Sequence, residues 1–268
     1  MTAINTNVGA LNARLYTLSA NNAQEKAMER LSSGKRVNSA ADDAAGLAVA
    51  GKMESQLRGI NIAIRNNQDG VGLIQTAEAG INEVRNMVLR IRELAVQMAN
   101  GIYEDSPDRA NAQLEVEALQ AQVNLIAGYT RFNDVSLLNG SFSAVDIQAG
   151  NTTSETIALT ITTMTTTGLG FDSVSVSTQS NAQAAITTMD TALTDIATEQ
   201  ATLGSYTNRL NYSVANLSRS SVMTEQALGR IMDADFASES TALSKAQILN
   251  QAATAMLAQA NQSKNLML

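Results

Sequence analysis

Few side chains in this sequence can do chemistry, and their types narrow the chemistry sharply. Its 268 residues include no cysteine and no histidine. That removes disulfides, thiol nucleophiles, Cys/His zinc sites, His-dependent triads and the H-E-x-x-H helix of a metalloprotease. Gly34-Lys35 invites a phosphate-loop reading, but the glycine five positions earlier and the Ser or Thr after the lysine are missing. Asp42 and Asp43 are an adjacent carboxylate pair. Neighbours on a helix point about 100° apart, so a capping or surface role suits them better than shared acid–base work. Ser39, three residues before Asp42, reads as a capping-box-like helix start. The chain is expected not to be an enzyme, and to use neither cofactor nor metal.

What remains is organisation. From Ile186 to Ile231, alternating strides of three and four pick out Ile186, Met189, Leu193, Ile196, Gln200, Leu203, Thr207, Leu210, Val214, Leu217, Ser221, Thr224, Leu228 and Ile231. All are apolar except Gln200, Thr207, Ser221 and Thr224, and no proline interrupts them. A seven-residue repeat held that long predicts one helix of roughly 70 Å with an apolar seam facing equally long partners. A second seam is apolar throughout: Ile74, Ala77, Ile81, Val84, Val88, Ile91, Ala95 and Met98. It belongs to a helix expected from about Gln56 and stopped by Asn100-Gly101. Pro107, the one proline, is expected near the first turn of a third helix carrying Val116, Leu119, Val123 and Ile126.

The ends of the chain resemble each other. Residues 1–32 carry a stripe of Ile4, Val8, Leu11, Leu15 and Leu18, and Ser33-Gly34 reads as the stop. The last helix, expected after a joint at Asp233–Phe236, steps through Ala242, Ala246, Leu249, Ala253, Met256, Ala260 and Met267. Between Ser240 and Leu268 only Lys245 and Lys264 are charged, which suits a helix contacted on more than one face. Between these helical halves, from Tyr129 to Thr178, the stride disappears. Val145–Ile147, Thr156–Ile161 and Val174–Val176 alternate like half-exposed strands, and Thr162–Thr167 (TTMTTT) reads as an exposed loop.

Composition agrees with a helical rod more than with a globule. There is no tryptophan, with four Phe and five Tyr, so Ala, Leu, Ile, Val and Met must supply the packing. A net charge of −7 disfavours nucleic acid or an anionic membrane as partner. The N-terminus lacks the basic-then-apolar order of a cleavable signal, and no run of eighteen apolar residues exists to span a bilayer. The fold class expected is mainly α: a long antiparallel helical coiled-coil bundle formed by the N- and C-terminal halves, with a small central β-hairpin region.

Particular motifs carry a family resemblance. LSSGKRVNSAADDAAGLAVA (Leu31–Ala50), RNNQDGVGLIQTAEAGINEV (Arg65–Val84) and RIRELAVQMANG (Arg90–Gly101) stand in the first half. IMDADFASE and SKAQILNQAATAMLAQANQ (Ser244–Gln262) stand in the second. Two such signatures at opposite ends, in this order, resemble bacterial flagellins over essentially the whole chain. Departures are Lys35, where an apolar residue is common, and the absence of a proline after the final Ala-Asn-Gln.

The resemblance implies a structural subunit that polymerises into the extracellular flagellar filament for swimming motility. Residues 1–45 and 233–268 would be the two halves of an inner-tube helical domain. Residues 46–232 would form an outer helical domain with the hairpin region at 129–180, too short for large variable insertions. Polymerisation would rest on Ile4, Val8, Leu11, Leu15 and Leu18 with Ala246, Leu249, Ala253, Met256 and Ala260. Implied partners are further copies of the chain, an export chaperone, the flagellar export apparatus, and filament cap and hook-junction proteins. The animal Toll-like receptor for flagellin is a further implied partner, through Arg90, Leu94 and Glu115. Neither nucleic acid nor membrane is among them. Hook–filament junction proteins share the helical termini, and a secretion-system tip-like coiled coil is another alternative; filament formation separates these readings.

Overall fold

The computed structural model describes residues 6–265, which form two compact units. Met1–Leu57 with Val222–Leu268 make the first, and Arg58–Ser221 the second. Both divisions fall inside continuous helices rather than at the joints near residues 45 and 232. Five α-helices are present among the described residues: α1 (Val8–Ser33), α2 (Ala44–Met98), α3 (Ala110–Tyr129), α4 (Gln179–Met232) and α5 (Phe236–Asn265).

In the second unit, α2 and α4 run antiparallel. Cross-links descend along one as they rise along the other: Arg92 to Asp190, Asn82 to Gln200, Asn61 to Ser221. Every position of the α2 seam from Ile74 to Met98 is buried. On α4 the expected seam is right at Met189, Ile196, Leu203 and Leu210, all buried. The intervening contacts, however, are Ala185, Ala192 and Glu199 rather than Ile186, Leu193 and Gln200, which are half-buried. Ala185 and Ala192 are small enough to let the helices close on the large ones. The helix itself is uninterrupted, as the repeat predicts.

α2 ends where Asn100-Gly101 stops it, and Arg109 closes that end. The residue is 4% exposed, and its guanidinium donates to the carbonyls of Met98, Asn100 and Tyr103 and to Asp105 Oδ1. Helix ends leave carbonyls without intrahelical partners, and a buried arginine fork satisfies several at once. Pro107 lies in the π-turn Asp105–Arg109, one turn ahead of α3 rather than within it.

The central region carries two hairpins. β1 (Arg131–Phe132) pairs with β2 (Val135–Ser136) across Asn133 and Asp134, both at positive φ. That left-handed pair is the two-residue turn that matches strand twist. β3 (Val145–Gln148) pairs with β4 (Thr156–Leu159) in register Val145–Leu159. Two expectations fail here. Val174–Val176 is not a strand: Val176 is buried while its N–H and the Ser175 hydroxyl are taken up by the Gln113 side chain. The TTMTTT stretch is not an exposed loop either. Met164 and Thr166 are buried, Thr166 bonds Asn124, and Thr162 bonds the buried Glu199. Threonine hydroxyls make short bonds to the helices beneath, which composition alone cannot signal.

The first unit pairs α1 with α5, also antiparallel. Asn7 donates to the Ala260 carbonyl, Asn250 to Asn21, and Arg30 to Glu239. α1 ends at Gly34, whose left-handed φ of 69° and N–H to Arg30 O form the stop expected there. The segment after it bridges to the α4–α5 joint: Lys35 pairs with Asp233, Arg36 N donates to Met232 O, and Ala234 N to Gly34 O. The α2 start also differs from expectation. Asp43 Oδ1 accepts from Gly46 N and so caps the helix, while Asp42 accepts from the Ser39 hydroxyl and from the Ser39 and Asn38 N–H groups. The Ser39 hydroxyl above all, helped by these backbone donors and by Lys26, holds the Asp42 carboxyl below its ordinary range.

Candidate assembly surface

The inner seam of the α1·α5 pair is alanine. Ala13, Ala20 and Ala27 are buried on α1, and Ala246 and Ala253 on α5, with Ala260 half-buried. Each set is spaced by sevens, and a methyl at the contact lets two helices approach closely. The large apolar residues of the expected α1 stripe point away from this seam. Val8, Leu11, Leu15 and Leu18 are 58%, 52%, 64% and 52% exposed. Leu11, Leu15 and Leu18 each lie two residues from a seam alanine, about 200° round the helix. On α5, Ala246, Ala253 and Ala260 face inward as expected, but Leu249 and Met256 are 50% and 63% exposed. Ile4 lies outside the described residues, as does Met267.

The pair therefore carries large apolar side chains on its outside. Leu249 and Met256 border a groove of about 640 Å³ along α1 and α5, lined also by Gly9, Tyr16, Ala20 and Ala260. Gly9 faces Ala260 across the pair: a Cβ built there would lie 3.7 Å from the Ala260 methyl, an ordinary contact distance. An exposed apolar groove of this kind, with further leucines exposed on α1, marks a contact surface. On α1 the seven-residue spacing of Ala13, Ala20 and Ala27 is the signal in the sequence for the inner seam, masked there by the larger leucine stripe.

The second group of expected site residues lies in the second unit. Arg90 on α2 and Glu115 on α3 are brought together, Nε to Oε1 at 2.8 Å, with Glu93 3.4 Å from the same guanidinium. Both members are well exposed, and Glu115 raises the already high pKa of Arg90 further. Leu94 is not beside them on the surface: it is 4% exposed, in the core formed by α2, α3 and α4. Beyond these, Arg109, Glu199 and the Asn21–Asn250 pair are polar positions that patterning did not single out. No group of three or more acidic side chains among the described residues could hold a metal. No helix among them is long and apolar enough to cross a membrane.

Comparison with known proteins identifies the family. The family described as the bacterial flagellin N-terminal helical region matches residues 4–143, and the bacterial flagellin C-terminal helical region matches residues 186–268. The flagellin of Halalkalibacterium halodurans is 40% identical, over 97% of this chain and 96% of its own. The flagellar filament 33 kDa core protein of Treponema phagedenis is 40% identical over the same shares. Among solved structures, Bacillus cereus flagellin superposes with a TM-score of 0.51 at 32% identity, covering 57% of this chain and 88% of its own. Matched at both helical ends and along nearly its full length, the chain belongs to the bacterial flagellin family.

Proposed function

We propose that this chain is a structural subunit of the flagellar filament, and that the outer face of the α1·α5 pair is where neighbouring copies pack. The observation that carries it is the inversion of the terminal helices. Alanine faces inward, while Val8, Leu11, Leu15, Leu18, Leu249 and Met256 face solvent. Burying such a face against further subunits gains on the order of 25 cal/mol per Å² of apolar area. The poverty of charge in α5 removes the usual obstacle to covering it.

The same proposal assigns residues 1–45 and 233–268 to the filament's inner tube and places the filament outside the cell, for motility. Export apparatus, chaperone, cap and hook-junction proteins would be its partners. Within it, Arg90 and Glu115 offer an exposed ion pair to a Toll-like receptor, and Leu94 acts from beneath by packing α2. The test is elongation of filament fragments by purified chain. Removing Ser240–Leu268 should abolish elongation while leaving the second unit folded; tubes grown from the truncated chain would refute the assignment.

A further inference from the structure

Methionine is distributed unevenly over this molecule. Met98, Met164 and Met189 are sealed in the second unit, whereas Met28, Met223 and Met256 are 51%, 69% and 63% exposed. Of these three only Met256 lines the apolar groove, beside Leu249 and across from Tyr16. Its thioether is open to solvent in a free subunit and sits on the face that must become dry when a neighbour packs there. A thioether sulfur accepts an oxygen atom from a two-electron donor such as a peroxide or hypohalous acid. With hydrogen peroxide, the S–O bond forms as the O–O bond breaks. Sulfur is oxidised by two electrons, the peroxide is reduced by two, and water leaves. The product sulfoxide is polar and chiral, a strong acceptor where the groove offers mainly methyl and methylene groups.

We propose that Met256 is an oxidation-sensitive assembly site: its sulfoxide disables a free subunit for incorporation, whereas incorporation shields the sulfur. The inference rests on the reading that the groove is covered by a neighbouring copy. Burying the sulfoxide without a partner raises the concentration of subunit needed for growth, while the equally exposed Met28 and Met223, outside the groove, tolerate conversion.

The experiment treats monomer with hydrogen peroxide, maps sulfoxides by peptide mass, removes the oxidant and measures elongation of filament fragments. The treated parent chain should need about tenfold more subunit to grow, and treated Met256→Leu should stay within about twofold of its untreated form. In finished filaments Met256 should oxidise about tenfold more slowly than in monomer. Treated Met256→Leu losing elongation as fully as the parent would overturn the proposal. So would normal growth of untreated Met256→Gln. Leu249→Asp separates this from the underlying reading. If it elongates like the parent, the groove is not a subunit contact and both fall. If it fails while subunit carrying Met256 sulfoxide grows normally, only the oxidation proposal falls.

Discussion

Asn21 and Asn250 meet amide to amide midway along the α1·α5 pair, beside a seam of alanine methyls and far from the polar contacts at its two ends, Asn7 with Ala260 and Arg30 with Glu239. Alanine seams slide easily, because one methyl layer resembles the next seven residues along. A polar pair at a single level penalises every other register, since a shift leaves an amide facing methyls. Asn21→Ala or Asn250→Ala alone should weaken the pair more than the double change does, with a coupling of about 1 kcal/mol in a double-mutant cycle. The chain has no native cysteine, so register can be read directly. A Gly9→Cys, Ala260→Cys disulfide should close readily, given the 3.7 Å from a Gly9 Cβ to Ala260, and more slowly once both asparagines are alanine. Equal closure rates would count against a register role.

Glu199 ties the threonine-rich segment to α4. Its two oxygens accept from the Thr162 N–H at 3.2 Å and the Thr162 hydroxyl at 2.7 Å, at 6% exposure. Glu199→Ala should lower unfolding free energy by about 2 kcal/mol, because it orphans a partly buried backbone donor. Urea titration of the intact chain measures it. Deleting residues 162–167 should cost more, since Met164 and Thr166 leave the core with them.

Arg109 is expected to be the most sensitive single charge. It serves three carbonyls and a carboxylate at the α2–α3 turn, and lysine cannot reproduce the planar fork. Arg109→Ala should destabilise by roughly 3 kcal/mol and Arg109→Lys should recover less than half of that. Hydrogen exchange at Asn100–Tyr103 reads the local part of the loss.

Acid should loosen the turn between α1 and α2 through Asp42. Its carboxyl titrates below the ordinary 3.8 in the folded chain because Ser39 and Asn38 donate to the charged form. A depressed folded pKa contributes stability above the unfolded value, and that stability is lost as pH falls through the folded one. Amide exchange at Asn38 and Ser39 should therefore accelerate as pH drops below about 3.8, after correction for intrinsic rates. Asp42→Asn should remove that pH dependence while leaving the Asp43 cap in place.

The long helices were legible because a repeat sustained over many turns leaves few alternatives. Met189, Ile196, Leu203 and Leu210 fell where the stride put them, and so did the joint before Phe236. The seam partners Ala185, Ala192 and Glu199 were not legible: nothing in a pattern of large residues says which neighbouring rail closes the gap. The terminal stripes show a deeper limit. Leu11, Leu15 and Leu18 declare that they need burial, but periodicity does not say whether the cover comes from the same chain. The threonine segment misled for a different reason, since Thr162 and Thr166 are satisfied by Glu199 and Asn124, far away in sequence.

The alanine seam also bears on how growth begins. Methyl-on-methyl contact gives each subunit's terminal pair little cohesion of its own, so the first few copies to meet in solution gain little from one another. On the proposed packing, a pre-existing end would present the outward leucines of several subunits at once and repay the ordering of the newcomer in one step. Such a chain should show a long lag when alone and none when seeded, so that the number of filaments would be set by how many starting ends are supplied rather than by how much subunit is made.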